Sequence, residues 1–232
     1  GFPDVLRHVV NVYRGRRSDV AATADHVTRS LREAAALPTG ASDLDRAIVD
    51  DAVTGLALHF DAEHGGFGGA PKFSPHLALD FLLRRMWQRP DDAHATRMVE
   101  QTLTRIADGG IHDQVGGGCH RYSVDRVWLV PHFEKMLYDN ALLAGVYALA
   151  HRVTGDRRWR EVAERTLDYL VREMQLPEGG FAAAQDADSP GGEGAFFVWT
   201  AEDLEAILAH DEAKAIVLHD ADDRKLSYDD II

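Results

Sequence analysis

Cys119 is the only cysteine in the 232-residue chain. A lone cysteine excludes an internal disulfide and any Cys-x-x-Cys redox or zinc motif, so chemistry falls to oxygen and nitrogen groups. Cys119 itself reads as a small buried thiol rather than a nucleophile. Basic charge is also short: 25 Lys and Arg stand against 38 Asp and Glu, a formal net charge of −13. Such a chain repels a phosphate backbone, and no local basic cluster offers an exception, so nucleic acid is not an expected partner. No apolar run approaches the ~20 residues that span a bilayer. The opening segment, GFPDVLRHVVNVYRGRR, sets its basic residues after its apolar ones, unlike a secretory signal. The expectation is a cytoplasmic protein with no membrane partner.

What is present is a globular composition, 45% hydrophobic and 27% charged, enough for a sizeable core. Helical spacing dominates. Val5, Leu6, Val9, Val10 and Tyr13 share one face; Ser18 is placed to cap a second helix; Ser42 or Asp43 to cap a third with Val49, Val53, Leu56 and Phe60 inward. Pro75 starts a helix carrying Leu79, Leu82, Leu83 and Met86, followed by one with Ala95, Met98, Val99, Thr102 and Ile106. A helix from about Pro131 to Arg152 and another with Trp159, Val162, Ala163, Thr166, Leu167, Leu170 and Met174 complete the cycle.

Each helical pair ends in a Gly-Gly-apolar loop: Gly65-Gly66-Phe67, Gly109-Gly110-Ile111 and Gly179-Gly180-Phe181. Repeated helix pairs bury a continuous core only when neighbours cover each other, which predicts an all-α toroid or solenoid with its glycine loops at one mouth. A small β-hairpin is expected where FAAAQDA pairs with AFFVW through SPGGEG, and Thr200 with Asp203 forms a capping box for a short helix through Leu208.

The chemistry-bearing residues concentrate in Gly109 to Asn140 and in Gln185 to Glu193. With Pro131 opening a helix, His132 and Glu134 fall in its first turn, Glu134 and Tyr138 lie one turn apart, and Lys135 with Asp139 forms a solvated pair. His112, His120 and His132 match no metalloenzyme spacing; they act as general acids or bases, or tie the loop down. Asp186 and Asp188 suit paired-carboxylate chemistry on a sugar, or are turn formers. The candidate catalytic residues are therefore His120, His132, Glu134, Asp186 and Asp188. Arg121, Tyr122, Trp128, Tyr138, Asn140 and Phe181 are the candidate substrate-binding groups, with no metal and no cofactor.

Three long segments, GGFGGAPKF (Gly65 to Phe73), Gly109 to Asn140, and QDADSPGGEGAFFVWT (Gln185 to Thr200), resemble the thioredoxin-domain-containing family that includes spermatogenesis-associated protein 20 and bacterial YyaL-type proteins. The resemblance implies an all-α, six-hairpin glycosidase-like α/α toroid, incomplete in this chain, with one small β-hairpin insertion. Residues 1–40 would be a helical segment following a missing thioredoxin-like domain, 41–209 the α/α-hairpin repeats, and 210–232 an unassigned acidic tail. The function expected is carbohydrate-active or sugar-binding, glycosidase-like or epimerase-like; the alternative is a non-catalytic scaffold or partner-binding module. A sugar-like small molecule is the expected partner, together with self-association through the unfinished toroid edge.

Overall fold

A computed structural model describes residues 1–36, 45–200, 203, 206 and 207. The chain divides into two compact units, Gly1–Arg46 and Ala47–Ile232. The first contains α1 (Phe2–Gly15) and α2 (Arg17–Ala35), which pack on each other. Val5, Leu6, Val9, Val10 and Tyr13 share a face of α1 and remain exposed. Arg16, not Ser18, caps α2; Ser18 lies inside the first turn. The expected caps Ser42 and Asp43, and the tail from residue 210, lie outside the described residues.

The second unit is helical: α3 (Ala47–His59), α4 (His76–Gln88), α5 (Ala93–Asp108), α6 (Leu137–Thr154) and α7 (Arg157–Tyr169), the last continued by a π-helical turn, Leu170–Met174. Asp92 and Asp156 cap α5 and α7 by accepting from Ala95 N and Arg158 N at 3.1 and 2.9 Å. The periodic residues of α4 and α5 form the core as expected, joined by Leu143, Val146, Tyr147 and Ala150 of α6 and by Trp159, Val162 and Ala163 of α7. The Tyr147 hydroxyl donates to Leu103 O at 3.0 Å, so its burial leaves no polar group unpaired. Leu167 departs from expectation at 49% exposure. The buried stripe follows Trp159, Val162, Ala163, Thr166, Tyr169 and Leu170, leaving Leu167 at its edge.

Short strands lie between the helices: β1 (Lys72–Phe73), β2 (Tyr122–Ser123), β3 (Pro131–His132), β4 (Lys135–Met136), β5 (Ala184–Gln185), β6 (Asp188–Ser189) and β7 (Gly192–Glu193). They pair antiparallel as β1-β2-β3, β4-β5 and β6-β7. Two expectations are corrected here. Pro131 does not open a helix: it and His132 pair with β2, Lys135 and Met136 pair with β5, and α6 begins only at Leu137. The hairpin at SPGGEG is present but tighter, since Asp188–Ser189 pairs with Gly192–Glu193, while AFFVW turns back on itself through Phe197 N and Val198 N donating to Gly194 O.

The glycine loops are repeats, with one change of register. Phe60 bridges Phe67, His112 bridges Cys119 and Gln175 bridges Phe181. The counterpart of Gly65-Gly66-Phe67 is therefore Gly117-Gly118-Cys119, not Gly109-Gly110-Ile111. In the first two loops the backbone closes identically: Asp61 N to Gly66 O and Gly65 N to Asp61 O, then Asp113 N to Gly118 O and Gly117 N to Asp113 O. Glycine is required at Gly66 (φ 77°), where a Cβ would lie 2.6 Å from the Trp128 ring, and at Gly118 (φ 76°), where it would enter the Tyr169 ring.

Each of these two loops is fastened by a buried lysine. Lys72 Nζ donates to Asp61 Oδ2 at 2.7 Å and Gly65 O at 2.6 Å, below the Trp128 ring; Lys135 Nζ donates to Asp113 Oδ2 at 2.7 Å and Gly117 O at 2.9 Å, against Tyr169 and Phe197. Both lysine side chains are 1% exposed, so the expected solvated Lys135–Asp139 pair does not exist. Burial alone would raise the Asp61 carboxyl, but Arg126 and Lys72 together hold it well below the usual carboxylate range. Removing one partner of such a pair leaves an uncompensated buried charge. Lys135→Met should therefore lower unfolding free energy by about 3–5 kcal/mol in urea denaturation, and adding Asp113→Asn should recover much of the loss. A single variant as stable as the parent would contradict the clamp.

Candidate functional site

The β1-β2-β3 sheet sorts side chains by alternation. Lys72 and Ser123 turn inward, both buried, while Phe73, Tyr122 and His132 line the other face in register. Their rings form a row, Phe73 to Tyr122 at 4.8 Å and Tyr122 stacked on His132 at 5.0 Å. The β6-β7 hairpin brings Glu193 to this row, its Oε1 2.7 Å from His132 Nδ1. Glu134 Oε2 stands 3.7 Å from His132 Nε2 and accepts from Arg121 Nη1 at 2.8 Å. Hydrogen bonding to Glu134 first, and to Tyr138 as well, raises the Arg121 pKa. Arg121, Tyr122, His132, Glu134 and Tyr138 thus meet at one partly exposed place. Glu193 joins them, supplied by the second polar segment.

The other candidates lie elsewhere. His120 is buried, with Nδ1 3.0 Å from Phe133 O and its ring edge-on to Phe133 and Phe197. Trp128 is fully buried at φ 68°, donating from Nε1 to His64 O at 3.0 Å. Asn140 is fully buried, its Oδ1 accepting from Cys119 N at 2.6 Å and its Nδ2 donating to Cys119 O and Met136 O. Trp128 and Asn140 tie loops together, so their side chains are not free to meet a substrate. Asp186 Oδ1 accepts from Asp188 N at 3.1 Å, the self-contained turn that Asp-x-Asp readily forms, and both are exposed. Phe181 is 43% exposed on the third glycine loop, opposite Gln175. Burial raises the Cys119 thiol to about 12, unsuited to a nucleophile at neutral pH.

Among the described residues no group of three or more His, Cys, Asp or Glu is arranged to hold a metal ion. A cavity of about 800 Å³ opens beside the second glycine loop, lined by Val115, Lys135, Tyr169, Arg172, Phe196 and Trp199 among others. None of the eleven candidate residues lines it, and its charged groups are already engaged: Lys135 with Asp113, Arg172 with Glu173. The cluster around His132 lies outside this cavity, and its charged groups pair with one another.

Spermatogenesis-associated protein 20 of Mus musculus is 38% identical over 226 residues, which is 90% of this chain and 28% of the mouse protein. The chain resembles one segment of that protein. It spans less than a third of the length of that curated relative. No family model matches the sequence. The toroid fold is shared with cellobiose 2-epimerase from Spirochaeta thermophila (TM-score 0.52, 21% identity, 64% of this chain and 42% of that one). A sugar epimerase from a ruminal bacterium aligns similarly (TM-score 0.53, 14% identity, 75% and 52%). At these identities the likeness concerns the fold. No helix among the described residues is long and apolar enough to cross a membrane.

The buried His120 gives the chain an acid sensitivity. Burial pushes its imidazole down to about 4, whereas the unfolded chain protonates near the ordinary 6.5. Between those values the unfolded state binds the extra proton. Stability is therefore full above about pH 6.5 and declines as pH falls toward 4, by on the order of 3 kcal/mol from this group. Melting curves from pH 7 to 4.5 should fall less steeply for His120→Asn than for the parent. Parallel curves would show that His120 is not held neutral.

Proposed function

We propose that the chain forms part of a sugar-binding, carbohydrate-active toroid in which the cluster around His132 is the acid–base centre. The observation that carries this reading is the setting of His132. Its Nδ1 is 2.7 Å from Glu193 and its ring lies on Tyr122, while Nε2 faces the Arg121–Glu134 pair. Glu193 accepting from Nδ1–H leaves the lone pair on Nε2, the tautomer a general base requires. The aromatic row offers an apolar face to a sugar ring, and Arg121, Glu134 and Tyr138 supply hydrogen-bonding groups at its edge. Kinship of fold with sugar epimerases supports the same class. The chemistry that fits is transfer of the proton at the carbon beside a sugar carbonyl to Nε2 and its return, which exchanges hydrogen and inverts the centre when the return is to the other face.

The test is a panel of D-glucose, D-mannose, N-acetyl-D-glucosamine and cellobiose, followed by calorimetry and by proton NMR in deuterium oxide. Binding of at least one sugar with exchange of its carbonyl-adjacent hydrogen is expected. His132→Gln should slow that exchange about 100-fold or more while leaving the melting temperature near the parent's. Absence of both binding and exchange across the panel would favour the scaffold role.

A further inference from the structure

Buried polar atoms in folded proteins are paired in roughly 90% of cases or more, so a cluster of unpaired ones calls for an explanation. Among the described residues six buried side-chain atoms have no hydrogen-bond partner; Asp50 Oδ1 and His112 Nε2 stand apart, and the other four are Ser74 Oγ, His76 Nδ1, Arg121 Nε and Asp139 Oδ2. These four come from separate parts of the chain and meet at one place. Phe73 faces Tyr122 in the β1-β2 register, which sets Ser74 across from Arg121. His76 opens α4, Asp139 lies in the first turn of α6, and these two helices pack together. The Asp139 carboxyl is buried and feels the charges of His76, Arg121 and Glu134; Tyr138 also hydrogen-bonds to the carboxyl, and Oδ2 is the oxygen left unmatched. Ser74 and Asp139 are 7% and 6% exposed.

We infer that Ser74, His76, the Arg121 Nε–H and Asp139 form a hydroxyl-recognition subsite for a neutral polyol, the ring of the sugar whose reacting end meets His132. This rests on the sugar reading above and adds residues it did not include. The ligand class follows from the donor set. Arg121 Nε can only donate and an ionised Asp139 can only accept, whereas Ser74 and His76 can do either. A hydroxyl both accepts and donates, so neighbouring hydroxyls satisfy all four. An anion would meet two carboxylates, Glu134 and Asp139, and a cation would meet the Arg121 donor. Burial raises the Asp139 carboxyl above its usual range, against the pull of His76 and Arg121, which further disfavours a charged partner.

A residue kept for a ligand differs from a structural one in what its removal does to the free protein. Ser74→Ala and Asp139→Asn should each raise the melting temperature of the sugar-free chain, by about 2–4 °C. Each should also weaken binding of D-mannose or cellobiose, whichever the parent binds, by about tenfold or more in calorimetry. A lowered melting temperature in both variants would mark the residues as structural and overturn the subsite. Undiminished sugar binding in both would assign the unpaired atoms to ordered water, and sink the subsite while leaving the His132 reading intact. No sugar binding by the parent would sink both. Protection by inorganic phosphate, lost in these variants, would overturn the neutral ligand class.

Discussion

Two buried lysine–aspartate clamps are the constraint on which the glycine loops and short strands of this fold depend. A lysine ammonium at 1% exposure is tolerable only when its protons have partners. Lys72 and Lys135 meet that demand in the same way, with one carboxylate, one glycine carbonyl and a neighbouring aromatic ring. The geometry works only because the loop backbone turns through left-handed glycines against a packed ring, placing Gly65 O and Gly117 O toward the ammonium. The third loop keeps the glycines and the bridge but has Leu176 where the others have Asp61 and Asp113. It is a backbone repeat without the electrostatic fastening.

The clamps also place the candidate site. Lys72 is the first residue of β1 and Lys135 the first of β4, so fixing each ammonium fixes a strand. β1 then recruits β2 and β3, which brings Phe73, Tyr122 and His132 into one row; β4 recruits β5 and sets where α6 begins. Arg126 tightens the arrangement by gripping Asp61 through two hydrogen bonds at 2.7 and 2.9 Å, which draws the 125–130 turn over the first loop. The same turn drives Trp128 into a positive φ that a bulky side chain rarely adopts; full burial of its indole and two carbonyl acceptors hold it there. Structural residues with demanding chemistry therefore surround a site whose own members are only partly enclosed.

Much of this was legible in the sequence, and what was not has a common cause. Helical periodicity located α4 and α5 with their inward residues, because a 3.6-residue stripe is a local signal. The Thr200–Asp203 capping box is present, with Asp203 N donating to Thr200 Oγ at 3.1 Å and Thr200 N to Asp203 Oδ2 at 3.0 Å. The stretch His132 to Tyr138 is locally ambiguous because Pro131 is an equally good first residue for a helix or a strand. Two-residue strands carry no periodicity to decide between them. Lys135 four residues before Asp139 looked like a surface pair, since nothing local announces that its true partner is Asp113, 22 positions earlier. Ser74 and His76 carry no local signal for the same reason, and Asp139 shows only its spacing from Lys135. Their significance lies in lacking partners, and absence of a partner is a property of the folded chain alone.

The contrast between paired and unpaired buried groups is what separates scaffold from site in this protein. Lys72, Lys135 and Asn140 are as buried as Asp139 or more so, and have partners for their polar atoms; such groups hold strands and loops in place. Asp139 is equally inaccessible, beside Arg121 and His76, and still leaves an oxygen unmatched. A fold able to satisfy a lysine ammonium twice over, from loops far apart in sequence, does not lack the means to pair one carboxylate oxygen. Leaving that oxygen and its three neighbours unpaired lowers the stability of the free chain. That cost is retained where a group completes its bonding only with something bound. The Glu193–His132–Glu134 line connects to these atoms through Arg121, whose Nη1 pairs with Glu134 while its Nε is unpaired. Four of the six unpaired buried polar atoms among the described residues thus come from neighbouring segments, the arrangement from which the polyol subsite is proposed.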